Sequence, residues 1–186
     1  DHDYNLDRMM KGMKAALDYC STNFSPYQHK QLRIIEFPRT AGGFAQSFPN
    51  TVPFSEDIGF IAKVDDSEEG GNDYSFFVTV HEVAHQWWGH TLSAKPVAGG
   101  SLLIEGFAKY TEVVVMEKMY GKRALFTLSE NARSRYFSGR AFASELEPPV
   151  YKVTSQSYIS YGKALTVMMA LRDLIGEKEV NHVLKT

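Results

Sequence analysis

Cysteine is almost absent from this chain of 186 residues: Cys20 stands alone. That excludes an internal disulfide and any cysteine-rich zinc module, so a bound metal must use histidines and carboxylates. Long apolar runs are missing as well. Stretches such as Val113-Val114-Val115-Met116 fall far short of the roughly 18 residues needed to span a bilayer, so no transmembrane segment is expected and the piece reads as soluble. Neither sign of charge dominates: 20 basic and 22 acidic residues give a net charge of -2, spread without a basic stripe, which leaves no footprint for nucleic acid. An initiator Met and a basic-then-apolar leader are also lacking, and a helical pattern has just resumed at Glu177 where the chain stops. The expectation is a part excised from a longer protein.

What is present suits one globular domain over residues 1–186, with 44% hydrophobic and 23% charged content. Residues 3–22 space apolar side chains for an amphipathic helix, stopped before Pro26. Gln31 to Phe37 and Phe54 to Val64 read as extended segments, and Gly42-Gly43, Pro49 and Pro53 mark turns or irregular chain between them. Asp65 to Asn72 is an acidic loop, and Asn72 or Asp73 caps a nearly all-apolar, hence buried, helix that runs toward Gly89. Further helices are expected from Ser101 to before Gly121, over 122–137 and over 160–175. Extended chain early and helices late argue for an α+β domain with a small mixed sheet followed by a mostly helical part.

The chemistry concentrates in His81-Glu82-Val83-Ala84-His85. Residues four apart on a helix lie one above the other, so both imidazoles can serve one metal, while Glu82, about 100° round the helix, can act on a bound water as general base. Zinc fits this set of nitrogen and oxygen donors and lowers the pKa of bound water to about 7. Two histidines at this spacing also arise by chance, and buried helices do carry unligated ones. Catalytic zinc takes three protein groups and leaves one position open, and the candidates for the third are His90 and Glu105. Glu105 lies within the apolar run Ser101–Phe107, where an unpaired carboxylate is costly and coordination would compensate it; His90 reads as a surface or supporting residue. Glu112, seven positions beyond Glu105, is either a carboxylate that orients a ligand histidine or a solvated helix residue.

These segments resemble the aminopeptidase N family of gluzincin zinc peptidases, whose signature is HExxH, about eighteen residues, then Glu in a segment like NEGFA. The matching pieces are His81 to Gly89 and Ile104-Glu105-Gly106-Phe107-Ala108-Lys109-Tyr110. Here residues 86–104, nineteen in all, separate the ligands, and Ile104 replaces the expected Asn. The resemblance covers about residues 31–176 and implies a thermolysin-like catalytic domain with one zinc ion held by His81, His85 and Glu105. It also implies two further roles. Pro53 to Ile61 looks like the family's GAMEN edge strand, in which Glu56 would bind the substrate's free α-amine. Tyr161-Gly162-Lys163-Ala164 resembles the family's YEKG-like turn, in which Tyr161, rather than Tyr158, would donate to the oxyanion. The variant motif looks most like peptidase domains fused to bacterial transporter permeases, which implies a membrane-tethered parent. The expected function is zinc-dependent release of N-terminal residues from peptides. The alternatives are a zinc endopeptidase and a zinc-dependent peptide-binding or sensory module with little turnover; a purely structural zinc would normally be closed by four protein ligands.

Overall fold

The computed structural model describes residues 2–64 and 73–185. The chain opens with helix α1 (Leu6–Asn23), passes through strand β1 (Arg33–Phe37) and strand β2 (Thr51–Ser55), and then becomes helical: α2 (Tyr74–Ala84), α3 (Phe107–Tyr120), α4 (Lys122–Ala141), α5 (Ala164–Ile175) and α6 (Glu177–Leu184). The α+β expectation is met. Two wide π-helical turns, Leu102–Gly106 and Tyr158–Lys163, lead directly into α3 and α5.

α1 and α3 sandwich α2. Met13, Ala16 and Cys20 of α1, Phe76, Val80 and Val83 of α2, and Tyr110, Val113 and Val114 of α3 share one buried cluster. This explains why α2 carries so little polar surface: apolar partners meet it on both sides. Its N-terminus is set by Asp73, whose Oδ1 accepts from the Phe76 N–H at 3.0 Å. The other oxygen of Asp73 accepts from Arg8 Nη1 at 2.9 Å and the Tyr120 hydroxyl at 3.0 Å, which ties the start of α2 to α1 and to the end of α3. The acidic loop expected over 65–72 lies outside the described residues. Beyond Ala84 the chain continues in turns to Gly89, whose φ of 130° suits a residue without Cβ.

β1 and β2 pair in parallel from Arg33–Thr51 to Phe37–Ser55. The strand expected over Phe54–Val64 is corrected: the extended run is Thr51–Ser55, and the chain beyond it turns. Phe60 is buried and Ile58 and Ile61 are half-buried without a ladder, because other groups satisfy the backbone of this stretch. Asn5 Nδ2 donates to the carbonyls of Gly59 and Ala62 at 2.7 and 2.8 Å, and Ser75 Oγ donates to that of Gly59 at 2.9 Å. Nor is this stretch the edge. Residues 44–48 double back on β2 through a tight turn at Pro49-Asn50, where Asn50 has φ 54°. Phe48 and Thr51 exchange hydrogen bonds at 2.8 and 3.0 Å, Gln46 N donates to Pro53 O at 3.1 Å, and Ser55 N donates to Phe44 O at 2.9 Å. β2 is thus flanked on both sides, and residues 44–48 form the outer rim.

Candidate metal centre

α2 carries His81 in its last turn and His85 at its C-cap, and the π-turn Leu102–Gly106 brings Glu105 to them. His81 Nε2 and His85 Nε2 stand 3.2 Å apart. Glu105 Oε2 lies 3.4 Å from the first and 3.5 Å from the second. Bonds of about 2.1 Å at a tetrahedral ion hold their donor atoms roughly 3.4 Å apart, so these three atoms outline one face of such a tetrahedron. Glu105 Oε2 is buried and accepts no hydrogen bond among the described residues, which is the state of an oxygen waiting for a cation. The three residues could therefore hold zinc.

The far sides of both imidazoles are occupied. His81 Nδ1 faces Glu112 Oε2 at 3.1 Å, and His85 Nδ1 donates to the Trp88 carbonyl at 2.9 Å. Each Nε2 is thereby turned to the common point, where a neutral ring would offer its lone pair. Glu112 is fully buried and its second oxygen takes Lys109 Nζ at 2.6 Å, so of its two possible roles it fills the orienting one.

Electrostatics follow from the packing. Burial alone raises the Glu105 carboxyl, but His81 and His85 outweigh it and hold the group well below the usual carboxylate range. Burial opposes a charged His81, yet Glu105 and Glu112 outweigh it and raise the metal-free imidazole to about 9. Glu82, 7% exposed, is raised by desolvation against the pull of the two histidines. Tyr161 is pushed well above its ordinary value, first by burial and then by Glu105, so it stays a phenol and a donor.

A cavity in two lobes meets at this point. One lobe, about 310 Å³, reaches toward Gln46, Ser47 and His90; the other, about 460 Å³, toward Phe44, Tyr74, Phe77 and Arg135. His81, Glu82, Tyr161 and Ala45 line both. Tyr161 lies against His81, ring centroids 5.9 Å apart at 28°. Its position depends on Gly162, where a Cβ would come within 2.7 Å of the Ala132 carbonyl of α4, and on Glu147, which binds Lys163, the Tyr136 hydroxyl and Arg140. Tyr158 packs instead against Tyr136, 6.2 Å between centroids.

Of the residues singled out in the sequence, His81, Glu82, His85, Glu105 and Tyr161 therefore converge. Glu56 does not. Its Oε1 accepts from the Arg39 N–H at 3.0 Å, its Oε2 lies 3.4 Å from His2 Nδ1, and it lines neither lobe. His90 lines the smaller lobe but is not part of the donor cluster. Sequence reasoning missed the rim at 44–48, although Pro49-Asn50 was a usable signal: Pro followed by Asn suits a reverse turn with positive φ at its second central residue. It also missed Gln86. Fully buried, Gln86 donates to Ser47 Oγ and Phe48 O, both at 2.8 Å, and accepts from the Asn50 N–H at 2.9 Å and the Tyr27 hydroxyl at 3.3 Å. It pins the rim to the helix that carries the histidines.

A helix presenting two imidazoles, a neighbouring glutamate completing the donor set and a further buried glutamate facing the cavity form a group that could hold a metal ion. The model of the peptidase family M1 domain matches residues 4–186, and the chain belongs to that family. It is 27% identical to human endoplasmic reticulum aminopeptidase 2 over 108 residues, which cover 55% of this chain and 11% of the human protein. In fold it is similar to an M1 zinc metallopeptidase E323A mutant from Deinococcus radiodurans, with a TM-score of 0.63 and 15% identity over 96% of this chain and 35% of that one. The chain thus spans a minor part of the length of these relatives. Among the described residues, no helix is long and apolar enough to cross a membrane.

Proposed function

We propose that residues 1–186 form one catalytic unit that hydrolyses peptide bonds with a single zinc ion held by His81, His85 and Glu105, and that the intact protein releases N-terminal residues. The observation that carries the first part is the triangle of donor atoms, 3.2 to 3.5 Å on its sides, with one buried carboxylate oxygen otherwise unpartnered. The similarity to an aminopeptidase supports the second. A parent tethered to a bacterial membrane belongs to the same reading.

Zinc in that position supplies a Lewis acid for the scissile carbonyl and lowers the pKa of a water to about 7. The chain's own groups do the rest. Glu82, with its carboxyl raised by burial, takes the proton of the attacking water and returns it to the leaving amine. Tyr161 donates its phenolic hydrogen to the carbonyl oxygen as negative charge develops there. The rim binds substrate as an added strand. Its pairing with β2 uses the Phe44 carbonyl and the Gln46 N–H, so by alternation the N–H and C=O of Ala45 face the cavity that Ala45 lines.

The position of Glu56 favours a second reading. With that carboxylate turned to Arg39 and His2, the requirement for a free α-amine loses its assigned acceptor, and an endopeptidase comes into view. Hydrolysis of aminoacyl reporter peptides, compared with their N-acetylated forms, separates the two. Free amines alone being cleaved supports aminopeptidase action; equal cleavage supports the endopeptidase. Peptide and zinc binding without turnover in the intact protein would leave only a sensory or binding module.

A further inference from the structure

We propose that the larger lobe of the cavity is a subsite for a carboxylate of the peptide, recognised by Arg135. The inference rests on the peptide-hydrolase reading and names a feature of the substrate.

Two cations line this lobe, Lys109 and Arg135, and they differ in what they face. Lys109 is spent on Glu112 at 2.6 Å and lies 5.5 Å from the centre of the Phe77 ring. Arg135 forms no ion pair among the described residues; its guanidinium lies over the Tyr161 ring, 4.5 Å from the centroid. Stacking on an aromatic face fixes the plane of a guanidinium and leaves its N–H edges free, the geometry that grips a carboxylate with two parallel hydrogen bonds. Phe44, Tyr74 and Phe77 line the same lobe and offer apolar contact to the peptide that carries the carboxylate, while Arg135 itself is exposed.

The charges of the site point the same way. Glu112 is paired with Lys109, and Glu105 faces the two histidines. Glu82 also lines the lobe, and of the lobe's two cations Arg135 is the one without an ion pair among the described residues. Arg135 and His81 both lie against the Tyr161 ring, 4.5 and 5.9 Å from its centroid, and an extended peptide advances about 3.4 Å per residue. The carboxylate that Arg135 meets is therefore carried one or two residues from the bond that is cut. An acidic side chain and a C-terminal carboxylate both offer that chemistry.

The test is binding to the intact, zinc-loaded protein carrying Glu82→Gln, which separates affinity from turnover. Three pentapeptides of otherwise neutral sequence are titrated by calorimetry: one with a free C-terminus, one amidated, and one amidated with a single Glu. At least one carboxylate peptide is expected to bind about tenfold more tightly than the neutral amide, and which one does so identifies the source. Adding Arg135→Gln is expected to bring that ratio to about one, and Arg135→Lys to restore part of it. No preference in the starting protein, or a preference that survives Arg135→Gln, overturns the proposal. A uniform loss for all three peptides with the ratio kept also overturns it, and would make Arg135 a support for Tyr161. Hydrolysis by the unmutated protein is scored separately: turnover without the preference removes only the subsite, and the preference without turnover removes only the hydrolytic reading.

Discussion

Glu112 Oε2 sits 3.1 Å from His81 Nδ1, on the side of the ring opposite Glu105. One helical stretch therefore supplies both the carboxylate that faces the imidazole's metal-directed nitrogen and the one that fixes its orientation. Groups in this second position typically contribute ten- to a hundredfold to metal affinity. Glu112→Gln, which keeps the shape and removes the charge, is expected to weaken zinc by about that factor in a chelator competition. Unchanged affinity would show that His81 is oriented by packing alone.

The same pair gives a pH dependence. In the metal-free protein His81 is raised to about 9 and is charged at neutral pH, whereas a ligand imidazole must be neutral. Zinc uptake at pH 7 is then expected to release about one proton from His81, and affinity should climb with pH until about 9. Calorimetry in buffers of different ionisation enthalpy measures this directly. Binding that releases no proton at pH 7 would contradict the assignment.

Gln86 offers a test of the rim. Gln86→Leu removes the four hydrogen bonds of its side chain and strands the Asn50 N–H, at about 1–3 kcal/mol for a buried group left unpaired, while the Phe48 carbonyl keeps the Thr51 N–H. A lower thermal midpoint is expected, together with a KM that rises more than kcat falls, because Ala45 would lose its place beside the peptide. A change in kcat alone would argue against a substrate-binding rim.

Gly162→Ala pushes on Tyr161. The new methyl would stand 2.7 Å from the Ala132 carbonyl, a backbone atom that cannot yield cheaply. The expected destabilisation is about 1–3 kcal/mol, with kcat reduced more than KM is raised. Activity equal to that of the unmutated protein would mean that the phenol is not needed where it stands.

The metal-site cluster was legible in the sequence because each part is local. His81, Glu82 and His85 share two turns of one helix, the cap at Asp73 precedes it, and Glu105 opens the next long helix. The apolar context of Glu105 was informative for a physical reason: a carboxylate there needs a partner. What local pattern could not give was the rim. Ile58, Phe60, Ile61 and Val64 look like strand residues, yet the backbone of that stretch is satisfied by Asn5 and Ser75, groups far away in sequence or across a loop. The role of Glu56 is implied by the resemblance of Pro53 to Ile61 to the family's edge strand, and its carboxylate is turned to Arg39 and lines neither lobe. Gln86 was invisible because its role depends on three segments meeting at one side chain.

The most direct test of the whole account is the location of the metal. Crystals of the zinc-loaded protein measured on both sides of the zinc absorption edge should show one anomalous peak, bonded to His81 Nε2, His85 Nε2 and Glu105 Oε2, and metal analysis should give one zinc per chain. A peak bonded to His90 in place of Glu105, or a stoichiometric zinc bound elsewhere with these three residues free, would contradict it.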